Sequence, residues 1–127
     1  MPRRKSETLT DSELRIMEVL WKKKSATVAD VQKALARHRL AYTTILTTIQ
    51  VLEQKGYVEH TPQGRAYLYS PTVERQESRR GAIGHLVSRW FDDSPNDLLL
   101  NLMEEAELDR EELDRLLELA RKKRKRP

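Results

Sequence analysis

Cysteine is absent from this 127-residue sequence, which excludes a disulfide framework, thiolate metal ligands and cysteine catalysis. Aromatic residues are scarce, 6% of the chain with a single Phe, so the core is expected to be modest. No apolar run reaches the roughly 18 residues that a spanning helix needs. No apolar stretch follows the basic start Met1-Pro2-Arg3-Arg4-Lys5, as a secretory signal would require. A cytoplasmic protein without membrane insertion is therefore expected. The four glycines, at positions 56, 64, 81 and 84, are too scattered for a phosphate-cradling loop. His38, His60 and His85 stand apart, with no two at metal-ligand spacing on one helix. The carboxylates gather at helix starts and on exposed faces, where their role is structural. Neither an enzyme, a bound metal nor a cofactor is expected.

Charge is plentiful and unevenly placed. Residues 1–72 hold 12 Lys/Arg against 7 Asp/Glu, whereas residues 73–120 hold 6 against 13. A run of six basic residues, Arg121-Lys122-Lys123-Arg124-Lys125-Arg126, follows. This pattern suggests a polyanion-binding module joined to a protein-contact module, with solvated faces of one domain as the alternative.

Helix starts can be read directly. Thr10 with Glu13 has the spacing of a capping box, and Leu9 with Leu14 that of a hydrophobic staple. The helix they open is expected to run to about Lys23 and bury Leu14, Met17, Leu20 and Trp21. Thr27 with Asp30 repeats the box and opens a second helix with Val28, Val31 and Leu35 inward. Ser25–Thr27 is expected to add a brief strand to a later hairpin.

A third helix is expected from Tyr42 to Lys55. At 100° per residue Ile45, Ile49 and Leu52 share one face within about 60°. The other side presents Thr43, Thr47, Gln50 and Gln54, flanked by Thr44, Leu46 and Val51. Gly56 stands where a left-handed C-cap is wanted. Strands follow at Tyr57–Thr61 and Ala66–Ser70, joined by the turn Pro62-Gln63-Gly64-Arg65.

From Val73 the pattern is helical. A long helix to about Phe91 places Ile83, Leu86, Val87 and Trp90 on one face. Ser94 with Asp97 opens the next, with Pro95 at its first position. That helix is apolar nearly all round, through Leu98, Leu99, Leu100, Leu102 and Met103. Asp109 with Glu112 opens the last, carrying Leu113, Leu116, Leu117 and Ala120. Three short helices rarely close a core alone, so residues 73–120 are expected to complete theirs with a second copy. Folding back on the front half as a monomer is the alternative.

The fold class expected is mostly α with a small β-hairpin wing. It comprises a winged helix-turn-helix over residues 1–72, a three-helix dimerisation domain over 73–120 and a basic tail over 121–127. Helix, glycine stop and basic-tipped hairpin supply a rod for the major groove and a finger for the flanking backbone. Gln50 can pair bidentately with adenine, and the threonine methyls with Leu46 can meet thymine methyls. An ordinary exposed face prefers Glu, Lys and Ala, so the uncharged threonine face suggests a surface meant to be covered. Ala41 is a poor N-cap, and a DNA phosphate assisted by Arg39 would supply the missing cap. Arg65 is the natural wing contact. Lys55, Arg37 and Lys22–Lys24 are candidate phosphate contacts. The basic tail would either strengthen non-specific DNA binding or serve solubility. An adaptor that uses a winged helix for protein contacts, without nucleic acid, is the rival reading.

The chain resembles the penicillinase-repressor family, the BlaI/MecI/CopY group of bacterial transcriptional repressors. The resemblance lies in Leu9-Thr10-Asp11-Ser12-Glu13-Leu14, Val19-Leu20-Trp21 and Ala41-Tyr42-Thr43-Thr44-Ile45-Leu46-Thr47. It continues through Leu52-Glu53-Gln54-Lys55-Gly56-Tyr57-Val58 and Gly64-Arg65-Ala66-Tyr67-Leu68-Tyr69-Ser70-Pro71. It implies a homodimer sitting on a pseudo-palindromic operator. It also implies relief by a membrane sensor whose signal leads to cleavage in the dimerisation domain, here at Asn101-Leu102. Three departures accompany it. Gln50-Val51-Leu52 stands where many relatives have Asn-Arg-Leu, Leu102 stands where relatives have Phe, and the cysteine-rich metal hook of the copper-sensing branch is missing.

Overall fold

The computed structural model describes residues 8–125. The order of elements is α1 (Asp11–Lys23), α2 (Val28–Ala34), a 3-10 turn (Ala36–His38), α3 (Tyr42–Lys55), β1 (Val58–Gln63), β2 (Ala66–Pro71), α4 (Arg75–Trp90), α5 (Pro95–Glu105) and α6 (Arg110–Lys125). The chain divides into two compact units, one ending at His85 and the other beginning at Leu86. That division falls inside α4, whereas the sequence pattern sets the boundary at the end of the wing, between residues 72 and 73. The basic start and Arg126 of the tail lie outside the described residues.

In the first unit α1 begins where its capping box dictates. The Thr10 hydroxyl accepts the Glu13 N–H at 3.2 Å, and the Thr10 N–H donates to Glu13 Oε1 at 2.9 Å. The buried stripe is Glu13, Ile16, Met17 and Leu20. Leu14, expected inside, is 42% exposed, and Ile16 fills the core in its place. Trp21 is half-buried and its Nε1 donates to the Val73 carbonyl at 2.7 Å. The Arg75 guanidinium stacks over that ring at 5.6 Å and pairs with Glu18 at 2.7 Å. These contacts hold the start of the segment after the wing against α1.

The Thr27–Asp30 box opens α2, with Val28 and Val31 buried. Accepting the Thr27 backbone N–H holds the Asp30 carboxyl below its ordinary value. A single 3-10 turn follows and ends at Arg39 in the left-handed region (φ 52°). The sequence reading had no counterpart for it. Helix α3 then presents Ile45, Ile49 and Leu52 fully buried. It ends at Gly56 with φ 90°, a conformation that costs glycine no Cβ clash.

The two strands pair antiparallel, Val58 with Pro71 through Gln63 with Ala66. The loop is therefore only Gly64-Arg65, tighter than the four-residue turn expected. Of these two, only Gly64 has a positive φ (61°), the pattern of a type II′ hairpin turn. Pro62 is tolerated because it lies opposite Tyr67, one place beyond the narrow Gln63–Ala66 pair, where an N–H would point away from the partner strand. Ala26 and Tyr69 exchange backbone bonds at 2.9 and 2.8 Å, a single isolated bridge where the sequence suggests a brief strand over Ser25–Thr27. The core of this unit gathers α1, α2, α3 and the hairpin around Met17, Leu20, Ile45, Ile49 and Tyr69.

In the second unit Ser94 caps α5, its hydroxyl accepting the Asp97 N–H at 3.2 Å, with Pro95 at the first helical position. Asp109 Oδ1 accepts the Glu112 N–H at 2.9 Å at the start of α6. That helix continues through the basic run to Lys125, so the tail expected after Ala120 is helical over its described part. Val87 is the one buried side chain among the described residues of this unit.

Candidate nucleic-acid interface

Helix α3 is fixed from three sides. Its core face locks into the first unit, and the Gln32 side chain donates to the Leu40 carbonyl at 3.2 Å, tying α2 to the approach of α3. His60 on β1 meets Glu53 on α3 at 2.7 Å and lies against the Tyr67 ring at 4.5 Å, bracing the wing on the helix. Neither tie has a sequence signal, because each depends on a turn or a register that appears only in the fold.

The face left outward carries Thr43, Thr44, Thr47, Gln50 and Gln54, all exposed, with Leu46 half-buried at its margin. Thr48 is half-buried and its hydroxyl donates to the Thr44 carbonyl at 2.8 Å. Ala41 provides no side-chain cap, as expected, so N–H groups at the start of α3 are open to an acceptor. Arg39 is exposed just before them. Tyr42, the first residue of α3, is also exposed and was absent from the sequence-derived set. Arg65 stands exposed at the tip of the hairpin. The structure thus places Arg39, the α3 face and Arg65 on consecutive pieces of one unit.

Lys55 departs from expectation. Its Nζ lies 2.7 Å from Glu13 Oε1, and the Glu13 side chain is only 6% exposed. The same carboxylate oxygen accepts the Thr10 N–H, so Lys55 joins the end of α3 to the start of α1, and its charge is already matched.

The residues expected at a dimer contact are mostly uncovered. Ile83, Leu86, Leu99, Leu102, Leu116 and Leu117 are exposed, and Trp90 is 71% exposed. Leu98, Met103 and Leu113 are half-buried. Val87 is the correction, since it is buried within the chain and offers little surface to a partner. Asn101 and Leu102 lie exposed within α5, and Asn101 Nδ2 donates to the Asp97 carbonyl at 2.8 Å. Among the described residues no group of three or more His, Asp or Glu could hold a metal ion, and no helix is long and apolar enough to cross a membrane.

Comparison with known proteins agrees with this geometry. The penicillinase repressor family profile matches residues 9–122. The transcriptional regulator BlaI of Mycobacterium tuberculosis is 34% identical over 115 residues, covering 76% of this chain and 83% of that protein. The penicillinase repressor of Bacillus licheniformis is 27% identical over 117 residues, 91% of each chain. The solution structure of the DNA-binding domain of the repressor BlaI superposes with a TM-score of 0.52 at 31% identity, over 58% of this chain and 92% of that one. With a winged helix-turn-helix followed in sequence by helices whose leucines are exposed, and a family match over residues 9–122, the chain belongs to the penicillinase repressor family of transcriptional regulators.

Proposed function

We propose that this chain is a transcriptional repressor that binds a pseudo-palindromic double-stranded DNA operator as a homodimer. The observation that carries the reading is the outer face of α3, an exposed row of threonine and glutamine with no charge from Thr43 to Gln50. With α3 in the major groove, Gln50 pairs with adenine, and the threonine methyls and Leu46 meet thymine methyls. The open N–H groups at the start of α3 take a phosphate with the help of Arg39, and Arg65 reaches backbone or the adjacent minor groove. Lys55 is left out of the contact set because Glu13 holds it.

The uncovered leucines of α5 and α6 support self-association, and two copies match the two halves of a palindrome. Joining two sites raises affinity by roughly 10²–10⁴-fold over one, so loss of the dimer releases the operator. Relief by cutting Asn101–Leu102, triggered through a membrane sensor, acts on that dependence. Both residues lie within α5, so the helix unwinds locally before the bond is cut. The protein acts in the cytoplasm, where its operator is.

The test is titration of the purified protein onto labelled DNA from upstream of its own gene, against scrambled DNA, at several salt concentrations. Preferential, salt-weakened binding that protects two half-sites is expected. Equal binding to both DNAs refutes an operator there, and no binding at low salt refutes the reading altogether. Mass analysis after incubation with the sensor, without a cut in α5, refutes the proteolytic relief.

A further inference from the structure

We propose that His60 is a positioning residue of the DNA interface: through Glu53 it sets where the hairpin tip, and with it Arg65, stands against DNA, and it does so more firmly as the imidazolium. The inference deepens the repressor reading and rests on it.

The hairpin is rooted at one end. Val58 and Tyr69 are buried, the Tyr57 N–H donates to the Leu52 carbonyl at 2.9 Å, and the Thr72 hydroxyl donates to the Gly56 carbonyl at 2.6 Å. Beyond that root β1 is exposed from Glu59 to Gln63. Within this exposed stretch His60 is tied back to α3, with Nδ1 2.7 Å from Glu53 Oε2. A carboxylate can only accept, so Nδ1 donates. The Tyr67 and Tyr69 rings of β2 flank the imidazole at 4.5 and 5.6 Å.

The position of the brace gives it leverage. At about 3.3 Å per residue, His60 lies ~7 Å from the root at Val58, and Gln63, beside the Gly64-Arg65 loop, lies ~17 Å from it. A displacement at the brace is thus enlarged roughly two and a half times at the tip. A shift of about 1 Å at His60 then suffices to part a guanidinium from a phosphate oxygen. Glu53 stands one turn beyond Gln50 on α3, so the same bond references the wing to the helix face that reads bases.

The groups facing His60 are Glu53 from α3 and Tyr67 and Tyr69 from β2, while Glu59, its neighbour in β1, alternates to the other face. Of these side-chain types only histidine ordinarily changes charge between pH 5 and 8. Protonation makes the bond to Glu53 charge-assisted, so the brace is strongest at low pH and weakens as pH rises. The two side chains are 36% and 32% exposed. Solvent therefore screens the pair, and the effect is about two- to five-fold in affinity for each wing engaged.

The parent protein, His60→Gln, Glu53→Gln and Arg65→Ala are titrated onto labelled DNA from upstream of the gene and onto scrambled DNA. The titrations are run at about pH 5.5 and about pH 8, either side of the imidazole range, at fixed ionic strength, with circular dichroism confirming that each protein is folded at both. The parent is expected to bind more tightly at the lower pH by that factor, and all three variants to lose the difference. Glu53→Gln keeps an acceptor for Nδ1 without the charge. A pH difference that survives it means that His60 meets DNA directly, and overturns the positioning role. A difference that survives His60→Gln belongs to His38 or His85 and overturns the proposal. One that survives Arg65→Ala overturns the route through the tip. A parent that binds DNA equally at both pH values overturns the proposal alone. Failure to bind either DNA at either pH overturns the repressor reading with it.

Discussion

Replacing Lys55 by alanine separates a structural role from a DNA contact. Lys55 ends α3, the helix whose outer face meets DNA in the proposed function, yet its ammonium is 2.7 Å from a Glu13 carboxylate; the two side chains are 26% and 6% exposed. Breaking a fully buried pair costs about 3–5 kcal/mol, and an exposed pair is worth about 0–1 kcal/mol. This pair lies between those limits, and Glu13 would keep the Thr10 N–H as a partner. The expected loss is about 1–2 kcal/mol, a fall in Tm of roughly 5–15 °C for a unit of this size. Because a single removed partner leaves a mostly buried carboxylate, the double variant Lys55→Ala/Glu13→Gln should lose less than the two single losses added. Thermal unfolding followed by circular dichroism measures the stability. Operator binding against salt, at a temperature where all variants are folded, measures the contact. An unchanged Tm, with the slope of log K against log salt reduced by about 0.9, would refute the reasoning and return Lys55 to the phosphate contacts.

Gln50→Ala should cost about 1–3 kcal/mol of discrimination at one operator position while leaving affinity for scrambled DNA nearly unchanged, as competition titration on single-base operator variants would reveal. If Arg65 reaches the backbone, Arg65→Ala should weaken binding to all sequences alike and lower the salt slope by about one phosphate contact; loss confined to one sequence would place it in the minor groove, and unchanged binding and slope would refute the wing contact. Burial, with Glu53 nearby, pushes the Tyr69 phenol above its ordinary value of 10. The folded protein thus holds that proton more tightly than the unfolded chain, and stability is intact below about pH 10 and falls as pH rises through the folded value. Ultraviolet titration should find a late-ionising phenol of the parent protein missing in Tyr69→Phe.

Local chemistry made much of this legible from sequence. Capping boxes at Thr10 and Thr27 and the glycine stop at Gly56 are each written within four residues of chain, so α1, α2 and α3 begin or end where composition says. The 3.6-residue period placed Ile45, Ile49 and Leu52 inward and therefore also defined the outer face of α3. Sequence did less well where several rotations of a helix are nearly equivalent. Leu14 and Ile16 are both apolar, and only packing against α3 and the hairpin decides which is covered.

What the sequence determined by itself is a set of short-range commitments: where helices start, which face of α3 is apolar, that a wing follows, and that the acidic half carries more leucine than one chain buries. The tertiary structure alone decided which long side chains are already engaged. Lys55 finds Glu13, Trp21 finds the Val73 carbonyl and His60 finds Glu53 across 42, 52 and 7 residues of sequence. No periodicity encodes such pairs, because each exists only once separate elements have packed. Folding also carries α6 through the described part of the basic run, turning Arg121, Lys122, Lys123 and Arg124 from charges in a string into charges on definite sides of a rod.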